Sequence, residues 1–107
     1  MNGFELVFYT EENKKHGGKL LGEWILEKAK SLGAPGGSLS TCAEGFGHKG
    51  KMHSAGFIEL ADRPVLVSVI ATNETCEALM KALDDASVDV FYTRFPTNFG
   101  RTGNDKA

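Results

Sequence analysis

The chain has 107 residues, of which 41% are hydrophobic and 24% charged, and its net charge is −2. That suits one globular domain with enough apolar material for a core, and it argues against a disordered chain. The acidic balance excludes a general attraction to nucleic acid or to anionic membranes, and no apolar run approaches the ~20 residues of a membrane-spanning helix.

Phe4 to Tyr9 (FELVFY) is rich in β-formers and reads as a strand. Residues 11–18 (EENKKHGG) are polar and end in glycine, so they read as a solvated loop. From Lys19 the apolar residues Leu21, Trp24, Ile25, Ala29 and Leu32 recur at helical spacing, and Gly33 stands where a helix ends. Pro35-Gly36-Gly37 reads as a turn, and Ser38 to Glu44 as a second strand. A glycine-rich loop follows, after which Phe57 to Leu60 reads as extended. Val65 to Ala71 (VLVSVIA) is the clearest strand and is expected to be central. Thr72 or Asn73 caps a second helix, in which Cys76, Leu79, Met80 and Leu83 fall at i, i+3, i+4 and i+7. Val88 to Thr93 reads as the last strand, and the polar residues 98–107 as a flexible tail.

The order β-α-β, loop, β-α-β predicts an α+β, ferredoxin-like βαββαβ sandwich, with two helices on one face of a four-stranded antiparallel sheet. Residues 1–97 would form the single domain. Phe4, Phe8 and the alternate residues of the other strands are expected on the uncovered face, buried against partner subunits. A chain this short buries roughly 65% of its unfolded surface, so assembly would help it. Its N-terminus lacks a basic and apolar leader, and Cys42 and Cys76 lack metal spacing. A cytoplasmic protein with free thiols is the expectation.

The stretch Gly45–Ser54 (GFGHKGKMHS) satisfies G-x-G-x-x-G and nearly satisfies the P-loop pattern, with Met52 where a magnesium-binding hydroxyl belongs. Both motifs need a helix to start at the glycines, and the residues that follow have no 3.6-residue apolar repeat. Anion-binding chemistry remains. Between Gly45 and Gly56 stand two lysines, two histidines and no acid, and glycines let successive N–H groups converge on phosphate oxygens. A solvated surface loop is the alternative reading. His48, His53 and Glu44 could serve a divalent metal, but the spacing of the histidines is not a standard zinc spacing. Ser54 beside His53 is not a nucleophile pair, because adjacent side chains on an extended backbone point apart. With no catalytic constellation, the expectation is a protein that is not an enzyme. Arg94 and Arg101 are candidate phosphate partners, with surface ion pairs as the alternative.

From residue 4 to residue 95 the sequence resembles the PII-like signalling proteins, and within them a small branch catalogued as a domain of unknown function. Glu11-Glu12 followed by Gly18-Lys19-Leu20-Leu21 resembles the branch's acidic loop and Gly-Lys-Pro-Leu, with Leu20 in place of the proline. The stretch from Gly33 through Gly36-Gly37-Ser38-Leu39 to Glu44-Gly45-Phe46-Gly47 resembles the turn and strand that end in Glu-Gly-Phe-Gly. Lys51-Met52-His53-Ser54 resembles Arg-Ile-His-Ser/Thr.

The resemblance implies a homotrimer with a mobile T-loop-like segment at about residues 45–60. It implies clefts between subunits where a small anionic effector, an adenine nucleotide, would bind. By position, Ser38, Gly45, Phe46, Gly47 and His48 would line such a cleft, with Ser68 facing it and Lys51 and His53 on the loop. The family's second glycine-lysine loop is absent, since the chain reads Asp84-Asp85-Ala86-Ser87-Val88 there, and no tyrosine lies between Gly45 and Gly56. AMP or ADP therefore fits better than ATP. The expected partners are the other subunits, this effector and a protein reached through the loop, such as a membrane transporter, and not nucleic acid. A divalent-metal-binding protein of the same fold and a purely structural trimer are the alternatives.

Overall fold

The computed structural model describes residues 1–46, 52–54 and 63–103, and the side chains of these except residues 45, 46 and 52–54. The strands are β1 (Asn2–Glu11), β2 (Lys15–His16), β3 (Lys19–Leu20), β4 (Gly36–Thr41), β5 (Glu44–Phe46), β6 (Met52–Ser54), β7 (Pro64–Thr72) and β8 (Phe91–Asn98). The helices are α1 (Leu21–Ser31) and α2 (Asn73–Asp85). The main sheet has the order β4-β7-β1-β8, with every neighbour antiparallel. Each helix follows one inner strand and leads to an outer one, the split β-α-β arrangement of the ferredoxin-like fold.

Both helices lie on one face. There Leu6 and Phe8 of β1 and Val65, Val67, Val69 and Ala71 of β7 meet Leu21, Ile25 and Ala29 of α1 and Cys76, Leu79 and Leu83 of α2. Side chains alternate along a strand, so this parity leaves Glu5, Val7 and Tyr9 on the other face. The expectation for Phe4 and Phe8 is thereby corrected: Phe8 is fully buried under the helices and Phe4 packs against the same core. In a run as apolar as FELVFY both parities offer hydrophobic residues, and only the position of the helices decides between them.

Four further segments differ from the sequence reading. The polar stretch 11–18 contains a hairpin, in which β2 pairs with β3 across Gly17 and Gly18. Both glycines have positive φ (57° and 83°), as a two-residue type I′ turn requires. Lys19 and Leu20 are thus strand, and α1 begins at Leu21, whose N–H bonds to the Lys14 carbonyl at 2.8 Å. Gly36 and Gly37 belong to β4, opposite Ile70 and Val69, rather than to a turn.

β4 ends at Thr41, and Glu44 starts a separate ribbon in which β5 pairs with β6. The last strand runs Phe91–Asn98 because Val88 and Val90 pack against the core from the connection instead of joining the sheet. Pro96 is tolerated because β8 is an edge strand. The Phe99 N–H continues the pairing to the Met1 carbonyl at 2.8 Å. Phe57–Leu60 lies outside the described residues.

The helix ends follow the sequence. The Thr72 hydroxyl accepts from the Thr75 N–H at 3.5 Å at the start of α2. At the end of α1, Gly33 donates to Lys30 and Ala34 donates to Ala29, both at 3.1 Å, a Schellman closure. No described helix is long and apolar enough to cross a membrane.

Candidate functional site

Ser38 and Ser68 are direct cross-strand partners in the β4–β7 ladder. Val7 is opposite Ser68 in β1, which puts both serines on the bare face of the sheet. Ser38 is exposed on the edge strand, whereas Ser68 is half-buried on an inner one. The Ser68 hydroxyl donates to the Glu5 carboxylate at 2.9 Å. Glu5 was not singled out from sequence, although a lone acid inside FELVFY was a visible signal.

The second group of expected residues lies in the ribbon that grows from the end of β4. Gly45 is opposite His53 and Phe46 is opposite Met52. The backbone thus brings two expected site residues, Gly45 and His53, side by side. Gly45 is a position of the ribbon's ladder. Gly47, His48 and Lys51 lie outside the described residues. Three residues of β4, Leu39 to Thr41, separate Ser38 from the connection to the ribbon. The Cys42 N–H anchors that connection to the Pro64 carbonyl at 2.8 Å.

The charged residues near this region are mostly engaged. Glu12 accepts from Arg63 at 3.2 Å with both side chains largely covered, which ties the end of β1 to the start of β7. The loop reading of Glu12 as solvated is corrected by this pair. Arg94 lies over the Phe4 ring, 4.1 Å from its centre, and bonds to Glu77 at 2.7 Å and Asn73 at 3.0 Å. It is therefore committed to α2 rather than held out to a phosphate. His16 meets Trp24 edge-on at 4.8 Å, and Lys28 lies 5.4 Å above the same ring.

Cys76 is buried, with its thiol 3.6 Å from the Ala71 carbonyl oxygen and 3.9 Å from that of Phe4. Burial pushes this thiol above its ordinary value, against the opposing charge of Arg94. It is a core side chain with no nucleophilic character at neutral pH. Cys42 is also free. Among the described residues, no group of three or more His, Cys, Asp or Glu side chains converges as a metal site would require.

Two depressions open elsewhere. One of about 480 Å³ lies between the ends of β1 and β8 and the start of α2, next to Asn2 and Asn73. The other, about 110 Å³, has Glu11, Glu12 and Glu23 above Leu20, Leu39 and Val65.

The bare face also carries aromatic surface. The Tyr9 and Phe91 rings meet at a tilt, 5.4 Å between centres, and Phe91, Phe95 and Tyr9 are 66%, 53% and 40% exposed. The four-stranded antiparallel sheet with two helices on one face is the fold of solved PII-like signalling proteins. A PII-like signaling protein of Thermus thermophilus matches the fold with a TM-score of 0.67 at 15% identity, over 91% of this chain and 88% of that one. CPII of Thiomonas intermedia, a nitrogen regulatory PII-like protein solved with ADP, AMP and bicarbonate, matches with a TM-score of 0.62 at 15% identity, over 91% and 89%. The apo form of CPII matches with a TM-score of 0.54 at 12% identity, over 91% and 92%.

The chain belongs to the DUF190 family, described as Uncharacterized ACR, COG1993, whose model matches residues 4–96.

Proposed function

We propose that this protein is a cytoplasmic, trimeric, PII-like regulator without catalytic activity. AMP or ADP binds at clefts between its subunits, and the T-loop-like segment, about residues 45–60, passes the signal to a partner protein. The observation that carries the reading is the likeness of fold to CPII, which was solved with ADP and AMP. The bare aromatic face supports assembly, since largely apolar surface of this kind is covered by like surface in oligomers.

In the proposed cleft, Ser38, Gly45, Phe46, Gly47 and His48 line one wall and Ser68, beside Ser38, faces the cleft as well, with Lys51 and His53 supplied by the loop. Lys51 acts as a point charge toward phosphate, and the glycines permit close backbone approach. The end of α2 supports a nucleotide with few phosphates, because Asp84 and Asp85 stand where a second phosphate loop would have to be. Ordering of a loop by charge neutralisation is a recurrent switching device.

Calorimetric titration with AMP, ADP and ATP tests the reading. AMP or ADP is expected to bind more tightly than ATP, and Lys51→Ala to weaken binding about tenfold, the loss of one charge-assisted contact. Absence of both heat and a thermal shift at millimolar nucleotide would end the proposal.

A further inference from the structure

The depression of about 480 Å³ at the ends of β1 and β8 collects carboxamides. The chain has five asparagines and no glutamine. Three of the five, Asn2, Asn73 and Asn98, line this one place from β1, α2 and β8. Asn2 and Asn98 are cross-strand partners, and the Asn98 Nδ2 donates to the Asn2 Oδ1 at 2.8 Å. In a single bond between two carboxamides the donor keeps its carbonyl and the acceptor keeps its NH2 group. The pair therefore presents an acceptor beside a donor. Asn73 is turned by Arg94, whose Nη2 donates to its Oδ1 at 3.0 Å. A guanidinium only donates, so the Asn73 oxygen must face it and the NH2 group is left as a donor. Arg94 is itself paired with Glu77 at 2.7 Å, and no acid or base is among the residues that line the depression. Phe4 and Pro96, also cross-strand partners, give it an apolar part.

From this set we infer that the depression binds a small uncharged molecule with an amide or ureide edge on a flat ring. Such an edge offers a carbonyl and an N–H side by side, which is the complement of the Asn2–Asn98 pair, and the Asn73 NH2 group serves a further carbonyl. The ring covers Phe4 and Pro96. The volume lies within the range of about 300–1,000 Å³ usual for small-ligand clefts, which combine apolar lining with a few placed polar groups. Nothing in the lining carries a charge to hold a phosphate or a carboxylate. The site is separate from the proposed nucleotide cleft. Asn2, Phe4, Pro96 and Asn98 share the parity of Leu6, on the helical side, whereas Ser38 and Ser68 lie on the bare side. The ribbon leaves from the Thr41 end of β4, level with Thr10, at the opposite end of β1 from Asn2.

The test is an NMR titration of the isotope-labelled chain with uracil, whose ring carries a ureide and no charge. Saturable shifts are expected in the side-chain NH2 signals of Asn2, Asn73 and Asn98. The same ring methylated at both nitrogens has no N–H to give and is expected to shift them little. Asn73→Asp keeps an acceptor for Arg94, suits the start of a helix and removes the donor. It is expected to weaken uracil binding about tenfold or more, since a site built to hydrogen-bond its ligand loses most when one polar partner is wrong. Absence of a saturable shift at millimolar uracil, equal binding of the dimethyl compound, or an unchanged affinity in Asn73→Asp overturns the inference. So does a response to uracil confined to Gly45 and His53, at the ribbon. None of these outcomes touches the nucleotide reading, which the titration with AMP and ADP decides separately.

Discussion

The two faces of the sheet are built from the same four strands and differ in what covers them. On the helical face Leu6, Phe8, Val67 and Val69 are fully closed off by α1 and α2. On the bare face Tyr9, Phe91 and Phe95 remain exposed around the Glu5–Ser68 pair. A strand needs only one apolar parity to fold against helices. The second apolar parity is one that the folding of a single chain does not use, and it leaves these rings open on the bare face.

That contrast gives a graded set of predictions. Phe8→Ala removes a fully buried ring from the helical face. It is expected to cost about 3–5 kcal/mol of folding stability in denaturant titrations. A loss below about 1 kcal/mol would mean that the two faces are not distinct in the way described. Phe95→Ser, on the bare face, is expected to change unfolding of the separated chain by less than about 1 kcal/mol and to weaken association about tenfold or more. Sedimentation and chemical denaturation of the same variant measure both quantities.

The smallest effect concerns the cysteines. A thiol-reactive dye is expected to label Cys42 in the folded protein and Cys76 only after unfolding. Raising the pH through the ordinary thiol range should leave Cys76 behind, because burial keeps it in the neutral form. Early labelling of Cys76, read by peptide mass, would show that α2 opens readily from the sheet.

The order of elements was legible because each helix has a 3.6-residue stripe and β7 is almost wholly apolar. The parity of β1 was not, since FELVFY is apolar on both sides apart from Glu5. Val88-Asp89-Val90 imitates a strand by alternation, yet its valines fill the core from a connection. The real strand β8 contains Pro96, which an edge position hides from propensity arguments. Of the candidate site, the residue types and the glycine-rich stretch could be read from the chain. The pairing of Ser38 with Ser68 and of Gly45 with His53 could not, because register depends on strands that are distant in sequence. Glu5 was missed as a partner of Ser68 for the same reason, since 63 residues separate them along the chain.

Native mass spectrometry of the chain with ADP tests the central claim most directly, because it reads assembly and nucleotide binding in one spectrum. The account predicts a three-copy species that takes up ADP, with one cleft available per subunit. A monomer, or a trimer that stays free of nucleotide at millimolar ADP, would contradict it.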